Sequence, residues 1–269
     1  MRELELVADC DRCFGLCCVL LPFHRDSGFA VSKQGGEPCH HLSPRDRCEI
    51  HDSLREEGWP GCAAFDCFGA GQQVSQVTYG GVSWRDHDDL GEMAAVLSVM
   101  RQLHEMLAHL TEVLRRSPAE DAAEMRAEIV ALTHADPHSL LRADLDEVRR
   151  RVSPALREAT VRLHGPGRPM PDDLAGADLR DQDLLRADLR GALLIGADLR
   201  GCDLSHADLL GADLRDADVR SARLADAWFL SQAQLNTARG DAATTVPAHL
   251  TRPGHWRDAP AQDGGSRTQ

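Results

Sequence analysis

Two hydrophobic periods divide this chain. Between about Asp88 and Arg116, apolar residues recur at four- and three-residue steps: Met93, Leu97, Met100, Leu103, Leu107, Leu110 and Leu114. That spacing places them on one stripe of a long helix. Ser117-Pro118 stops it, a second helix carries Met125, Ile129 and Leu132, and a third starts near Ser139. Ser153-Pro154 reads as an N-cap followed by a first-turn proline, which predicts two helices meeting there. From Leu174 the period changes to five. A large apolar residue stands at Leu174, Leu179, Leu184, Leu189, Leu194, Leu199, Leu204, Leu209, Leu214, Val219, Leu224 and Phe229. Two places earlier sits a mostly small residue, such as Ala187, Ala197, Cys202, Ala207 or Ala217, and an aspartate often stands between the two. Five fits neither a 3.6-residue helix nor a two-residue strand. It fits a coil in which each pentad forms one side of a square, with the small and large apolar residues inward.

Before the helices, the apolar pattern breaks up and cysteine takes over. Eight of the nine cysteines lie between Cys10 and Cys67: Cys10, Cys13, Cys17, Cys18, Cys39, Cys48, Cys62 and Cys67. The ninth, Cys202, holds an inward small-residue place in the repeat, where it acts as apolar filler. Eight thiols within so short a segment are too dense for packing alone. A disulfide framework needs an oxidising compartment, whereas thiolate ligation of a metal does not. A CxxC pair presents two sulfurs to one ion, and later cysteines complete a four-sulfur shell. Zinc, iron or an iron–sulfur cluster fits this donor set. Cys17 and Cys18 are adjacent, so they serve two neighbouring sites or a multinuclear one more easily than a single tetrahedral ion. His24, His40, His41 and His51 lie among the thiols as further candidate ligands. Phe68-Gly69-Ala70-Gly71-Gln72 could wrap a cluster with backbone N–H groups, but it lacks the Lys and Ser/Thr of a phosphate loop.

Both patterned ends resemble known families. The repeated Ala-Asp-Leu-x-x, as in Ala197-Asp198-Leu199 and Ala207-Asp208-Leu209, resembles the pentapeptide-repeat proteins across twelve pentads. The resemblance implies a right-handed quadrilateral β-helix with four pentads per coil. Coils twenty residues apart then align Asp178, Asp198 and Asp218 in one column, with Arg180, Arg200 and Arg220 beside them, so that opposite charges offset the repulsion within each column. Cys10-x2-Cys13-x3-Cys17-Cys18, Pro38-Cys39-His40-His41-Leu42, Arg47-Cys48-Glu49-Ile50-His51 and Gly61-Cys62-x4-Cys67 resemble the CxxCxxxCC (YkgJ-type) cysteine-cluster proteins, with His51 in the place of a tyrosine. That resemblance implies chelation of zinc or iron by the eight cysteines.

The resulting outline is multidomain. A small cysteine-rich, metal-stabilised domain occupies residues 1–85 and an α-helical bundle or connector residues 86–165. The Gly165–Pro171 stretch reads as a linker, the repeat with a terminal cap as 172–240, and 241–269 as an irregular or disordered tail. Ser231 to Ala238 reads as a short helix closing the coil, with Trp256 available to pack against Leu210, Leu230 and Trp228.

Charge narrows the partners. A formal net charge of −13 argues against direct nucleic-acid binding and against an anionic membrane surface. No apolar run reaches the length of a signal sequence or a membrane span, which points to a cytoplasmic protein. No nucleophile–base pair, dinucleotide fingerprint, Walker loop or HExxH is present, so no catalytic or organic-cofactor residue is assigned. These features point to a metal-binding scaffold whose repeat contacts a protein partner, with the helical stripe able to serve a homodimer. The alternative is an iron–sulfur redox enzyme carrying the repeat as an accessory platform. A weaker one is a DNA mimic that binds a type II topoisomerase: three coils at about 4.8 Å each span only four or five base pairs at ~3.4 Å. Lys33, the only lysine, belongs to none of these motifs.

Overall fold

The structure is a computed structural model that describes residues 4–256. The chain divides into two compact units, residues 1–163 and 164–269.

In the first unit the cysteine-rich segment is mostly turns, with three short helices: α1 (Leu16–Leu20), α2 (Pro60–Ala63) and α3 (Ala70–Gln73). Two antiparallel bridges, Phe23 with Lys33 and Leu42 with Cys48, tie the loops together. Phe23 and Phe29 stack at 4.5 Å, and Trp59, 2% exposed, meets both edge-on. The long helix α4 (Leu90–Arg116) begins at Asp89, whose carboxylate accepts the Glu92 N–H at 2.9 Å. Its stripe is consumed within this unit. Met93, Met100, Leu103, Leu107 and Leu110 are buried, each contributing about 1.5–3 kcal/mol by leaving water. Helices α5 (Glu120–Thr133) and α6 (Pro137–Leu141) pack on α4 from one side, while α1 and α3 meet it from the cysteine segment.

One sequence expectation fails here. Helix α7 (Leu145–His164) runs unbroken through Pro154. Proline removes one N–H and crowds the carbonyl four residues back. Ser153 and Pro154 are on the exposed face, where water can satisfy that carbonyl, and Val152, Leu156 and Ala159 anchor the opposite face. Tertiary burial therefore outweighs the local breaker.

The second unit is a repeating coil of five-residue turns. Parallel bridges join Asp173 to Leu193, Asp178 to Asp198, Asp188 to Asp208, Leu193 to Asp213 and Asp198 to Asp218, always twenty residues apart. Four pentads therefore complete a coil. Only two-residue strands, Arg168–Pro169 and Ala187–Asp188, are long enough to be named among the described residues. The reason is geometric: a turn interrupts the chain in every pentad, leaving about one residue per side extended enough to pair. In each turn the small residue's N–H returns to the preceding leucine carbonyl, as in Ala197 to Leu194 at 3.0 Å. In most of the turns the residue before it has positive φ, which glycine tolerates, as at Gly196 with φ 65°, and which Arg186, His206, Asp216 and Ser221 also adopt. The leucines and alanines fill the interior, with Leu189, Leu194, Leu199, Leu204 and Leu209 fully buried. Cys202 is also inside and donates its S–H to the Leu179 carbonyl at 3.2 Å.

Both ends of the coil are covered. Arg168–Pro169, within the stretch read as a linker, pairs with the first coil instead. At the other end, helix α8 (Gln232–Thr237) starts with a capping box at Ser231 and Gln234. The chain beyond it adds Arg239 beside Asp218 and Thr245 beside Arg223. Trp256 then closes the core, 5% exposed, with its indole N–H on the Ala238 carbonyl at 3.1 Å. Its ring lies so close to Gly240 that an added Cβ would stand 2.4 Å from it. Residues 241–256 are irregular in backbone but are part of the end cap; the remainder of the expected tail, 257–269, lies outside the described residues.

Candidate functional site

Two turns of the cysteine segment have the same construction. Cys13-Phe14-Gly15 and Cys67-Phe68-Gly69 each place phenylalanine and glycine at positive φ, 54° and 64° in the first and 49° and 82° in the second. Each leads into a helix, α1 or α3. A phenylalanine in this region is strained, so the surroundings must hold it. At Phe68 the carbonyl accepts from the Nδ1 of His104, a fully buried residue of α4, at 2.8 Å. Burial lowers the His104 pKa to about 4, which keeps the ring neutral. Gly69 cannot be replaced, since a Cβ would stand 2.2 Å from the Glu5 carbonyl. The turns aim backbone N–H groups at sulfur. Cys13 receives those of Gly15 and Leu16, and Cys67 those of Gly69 and Gly71. Cys39 and Cys48 each receive one, from His41 and Ile50. Donors of this kind favour thiolate over thiol.

Seven of the eight clustered cysteines, Cys10, Cys13, Cys17, Cys18, Cys48, Cys62 and Cys67, line one cavity of about 370 Å³. Its other walls are largely apolar, including Leu21, Phe23, Phe29 and Leu54, with Leu97 from α4. Cys39 is outside this lining, buried with Phe23 and Trp59. Of the four histidines considered, His51 lines the cavity, while His40 and His41 pack on Trp59 at 5.4 and 5.2 Å and His24 is exposed.

All nine cysteines are free thiols, and several of those around the cavity interact with one another. Cys10 hydrogen-bonds Cys13, which lowers the Cys13 pKa to about 7 and raises that of Cys10. Cys18 is hydrogen-bonded to Cys17 and to Cys48, which raises its own pKa and lowers that of Cys48 to about 6. Burial pushes Cys62 up to about 12 and Cys67 up to about 11. Lys33 contributes positive charge beside this group. Its ammonium is buried over the Phe23 ring at 4.4 Å and donates to the carbonyls of Val19 at 3.1 Å and Gln34 at 3.2 Å. Its charge favours the thiolates of Cys39 and Cys62. Sequence reasoning passed over Lys33 because no motif surrounds it; a lone lysine among many arginines was the only available signal.

The residues fit a thiophilic metal in donor type but not in a closed shell. Among the described residues, no group of three or more Cys, His, Asp or Glu side chains is placed to hold an ion as it stands. Seven of the eight cysteines expected as ligands converge on the cavity, without completing a coordination sphere, and Cys39 stands outside its lining. In the second unit, the expected aspartate column is present and does more than face water. Asp178, Asp198 and Asp218 each accept the N–H two residues on, at 3.2–3.3 Å, capping their own turns. Arg180 grips Asp178 at 2.6 Å and reaches Asp198 at 3.4 Å, and Arg200 grips Asp198 at 2.6 Å and reaches Asp218 at 3.7 Å. The ladder is therefore self-neutralising.

Comparison with known proteins agrees with this geometry. A model of pentapeptide repeats matches residues 173–211 and 197–239. Over 266 residues the chain is 50% identical to a Bacillus subtilis (strain 168) protein described as "Uncharacterized protein YybG", covering 94% of this chain and 95% of that one. The chain belongs to the YybG family. The match is long enough to run through both units, so family members share more than the repeat. Among the described residues, no helix is long and apolar enough to cross a membrane.

Proposed function

We propose that this YybG-family chain is a metal-dependent interaction scaffold, in which cysteines of the first unit bind zinc and the solenoid of the second contacts a protein partner. The observation that carries the reading is the convergence of seven cysteines, from widely separated stretches of chain, on one apolar-walled cavity. Isolated structural thiols have no reason to converge in this way, and the backbone N–H groups aimed at four of the sulfurs suit thiolate ligands. When bound, zinc supplies a cross-link among loops that contain little regular structure, and so contributes folding free energy directly.

The solenoid supports the partner half of the reading. Its coil is right-handed in the resemblance noted from the sequence, and its long sides are rigid and display fixed side-chain columns. Leu193 takes the place of an aspartate between Asp173 and Asp213 in one column and is 44% exposed, with Leu185 also exposed on the same unit. Exposed leucines beside charged ladders suit a protein surface better than a nucleic acid.

Elemental analysis of anaerobically purified full-length protein, with an absorption spectrum, tests the proposal. Stoichiometric zinc in a colourless sample, lost in Cys13→Ser and unchanged in Cys202→Ala, is the expected result. A brown sample with labile sulfide would replace zinc with an iron–sulfur centre. Equal metal loss in both variants would overturn the division of the cysteines between the two units.

A further inference from the structure

We propose that the eight cysteines form two separate four-sulfur sites, divided between the adjacent residues Cys17 and Cys18. The inference rests on the thiolate–metal reading above and adds its nuclearity and ligand sets.

The first site is Cys10, Cys13, Cys17 and Cys67. Its frame is the pair of matching Cys-Phe-Gly turns, which meet at Gly71. A Cβ built on Gly71 would stand 2.9 Å from the Cys13 Cβ, 3.7 Å from the Cys13 sulfur and 3.8 Å from the Cys67 sulfur. The two sulfurs, 54 positions apart in sequence, thus flank one point, and glycine is the residue that leaves it open. Cys10 joins because the Cys13 thiol donates to its carbonyl at 3.5 Å and both cysteines line the cavity.

The second site is Cys18, Cys39, Cys48 and Cys62. The Cys39 N–H is bonded to the Cys18 carbonyl at 2.9 Å. The Cys18 thiol is hydrogen-bonded to those of Cys17 and Cys48, and the Leu42–Cys48 bridge holds the segment that carries Cys48. Cys62 and Cys18 both pack against the buried cluster that holds Cys39.

Cys17 and Cys18 mark the boundary. They are consecutive residues of helix α1, so their Cβ directions differ by about 100° around its axis. Their sulfurs are 4.0 Å apart, which keeps the two sites in contact. Cys17 senses both sets, acting on Cys10 and Cys67 on one side and on Cys39 and Cys62 on the other. Ligand number decides its membership. The second set already has four sulfurs and the first would have three without it, while a closed structural site takes four.

Titration of the reduced, metal-stripped full chain with cobalt(II), read by thiolate-to-cobalt charge-transfer absorption, tests the division, with zinc content of the purified protein measured alongside. Two equivalents are expected. Cys67→Ser and Cys48→Ser should each retain one equivalent. Gly71→Ala should also retain one, because its Cβ displaces Cys13; alanine favours helix over glycine, so loss of helix does not explain that result. Circular dichroism checks that α4 persists in every variant. A wild-type protein that binds one equivalent, or variants that lose all metal with helix content intact, would replace the two sites by a single cluster and overturn the proposal. Absence of any thiolate–cobalt absorption in the wild type would instead remove the metal reading beneath it.

Discussion

The two units of this chain reach order by opposite routes. In the solenoid, each pentad repeats the same turn, the same inward leucine and the same bridge to the residue twenty positions on. Its order is distributed, so no single residue defines the fold. In the cysteine segment almost nothing repeats except the two Cys-Phe-Gly turns, and both spend conformational energy by placing phenylalanine at positive φ. Its aromatic cluster is small, with Phe23, Cys39 and Trp59 buried at its centre, and its other large buried apolar residues are Leu16, Val19, Leu20 and Val74. A segment with so little regular structure gains stability from cross-links. The comparison teaches where each unit is vulnerable: the solenoid to a hole in its core, the cysteine segment to anything that separates its sulfurs.

Truncating the solenoid interior should produce the larger effect. Leu204 is fully buried at mid-coil, and Leu204→Ala should cost about 2–5 kcal/mol. Labelling the full chain with 5-fluorotryptophan separates the units, since Trp228 and Trp256 report on the solenoid and Trp59 and Trp84 on the first unit. The urea midpoint of the first two should fall while those of Trp59 and Trp84 hold. A parallel shift of all four would mean that the units are not energetically distinct.

A smaller effect is expected from acid. Hydrogen bonds from Arg180, Arg200 and Arg215 lower the pKa values of Asp178, Asp198 and Asp213, to about 2 for Asp178. A carboxylate with a lowered folded-state pKa contributes stability above its unfolded value near 3.9, and that contribution is lost as pH falls through the folded value. Asp208, raised by burial, works in the opposite sense. The solenoid resonances should therefore melt at lower urea at pH 2.5 than at pH 5, by a modest amount because these pairs are exposed. An unchanged midpoint would show that the ladder orders the turns without stabilising them.

How much was legible in the sequence follows the same division. A period of five fixes which residues point inward and, once four pentads make a coil, which aspartates align. The stripe on α4 was legible for the same reason, although its partner was not: Leu97 is a wall of the cysteine cavity, which no helical period announces. The cysteine positions suggested ligation, yet their pairing depends on loop paths that spacing does not encode. Phe14 and Phe68 carry no signal of positive φ, because their residue type disfavours it. Lys33 owes its importance to burial, and Pro154 owes its tolerance to the exposed side of a well-anchored helix; neither environment is visible in a string of residues.

Hydrogen exchange of the full chain, read by mass spectrometry before and after treatment with a strong chelator, bears most directly on the central claim. The account predicts that chelation strips protection from amides in residues 10–78 while those in 173–239 stay as slow as before. Equal protection of the cysteine segment with and without chelator would contradict it.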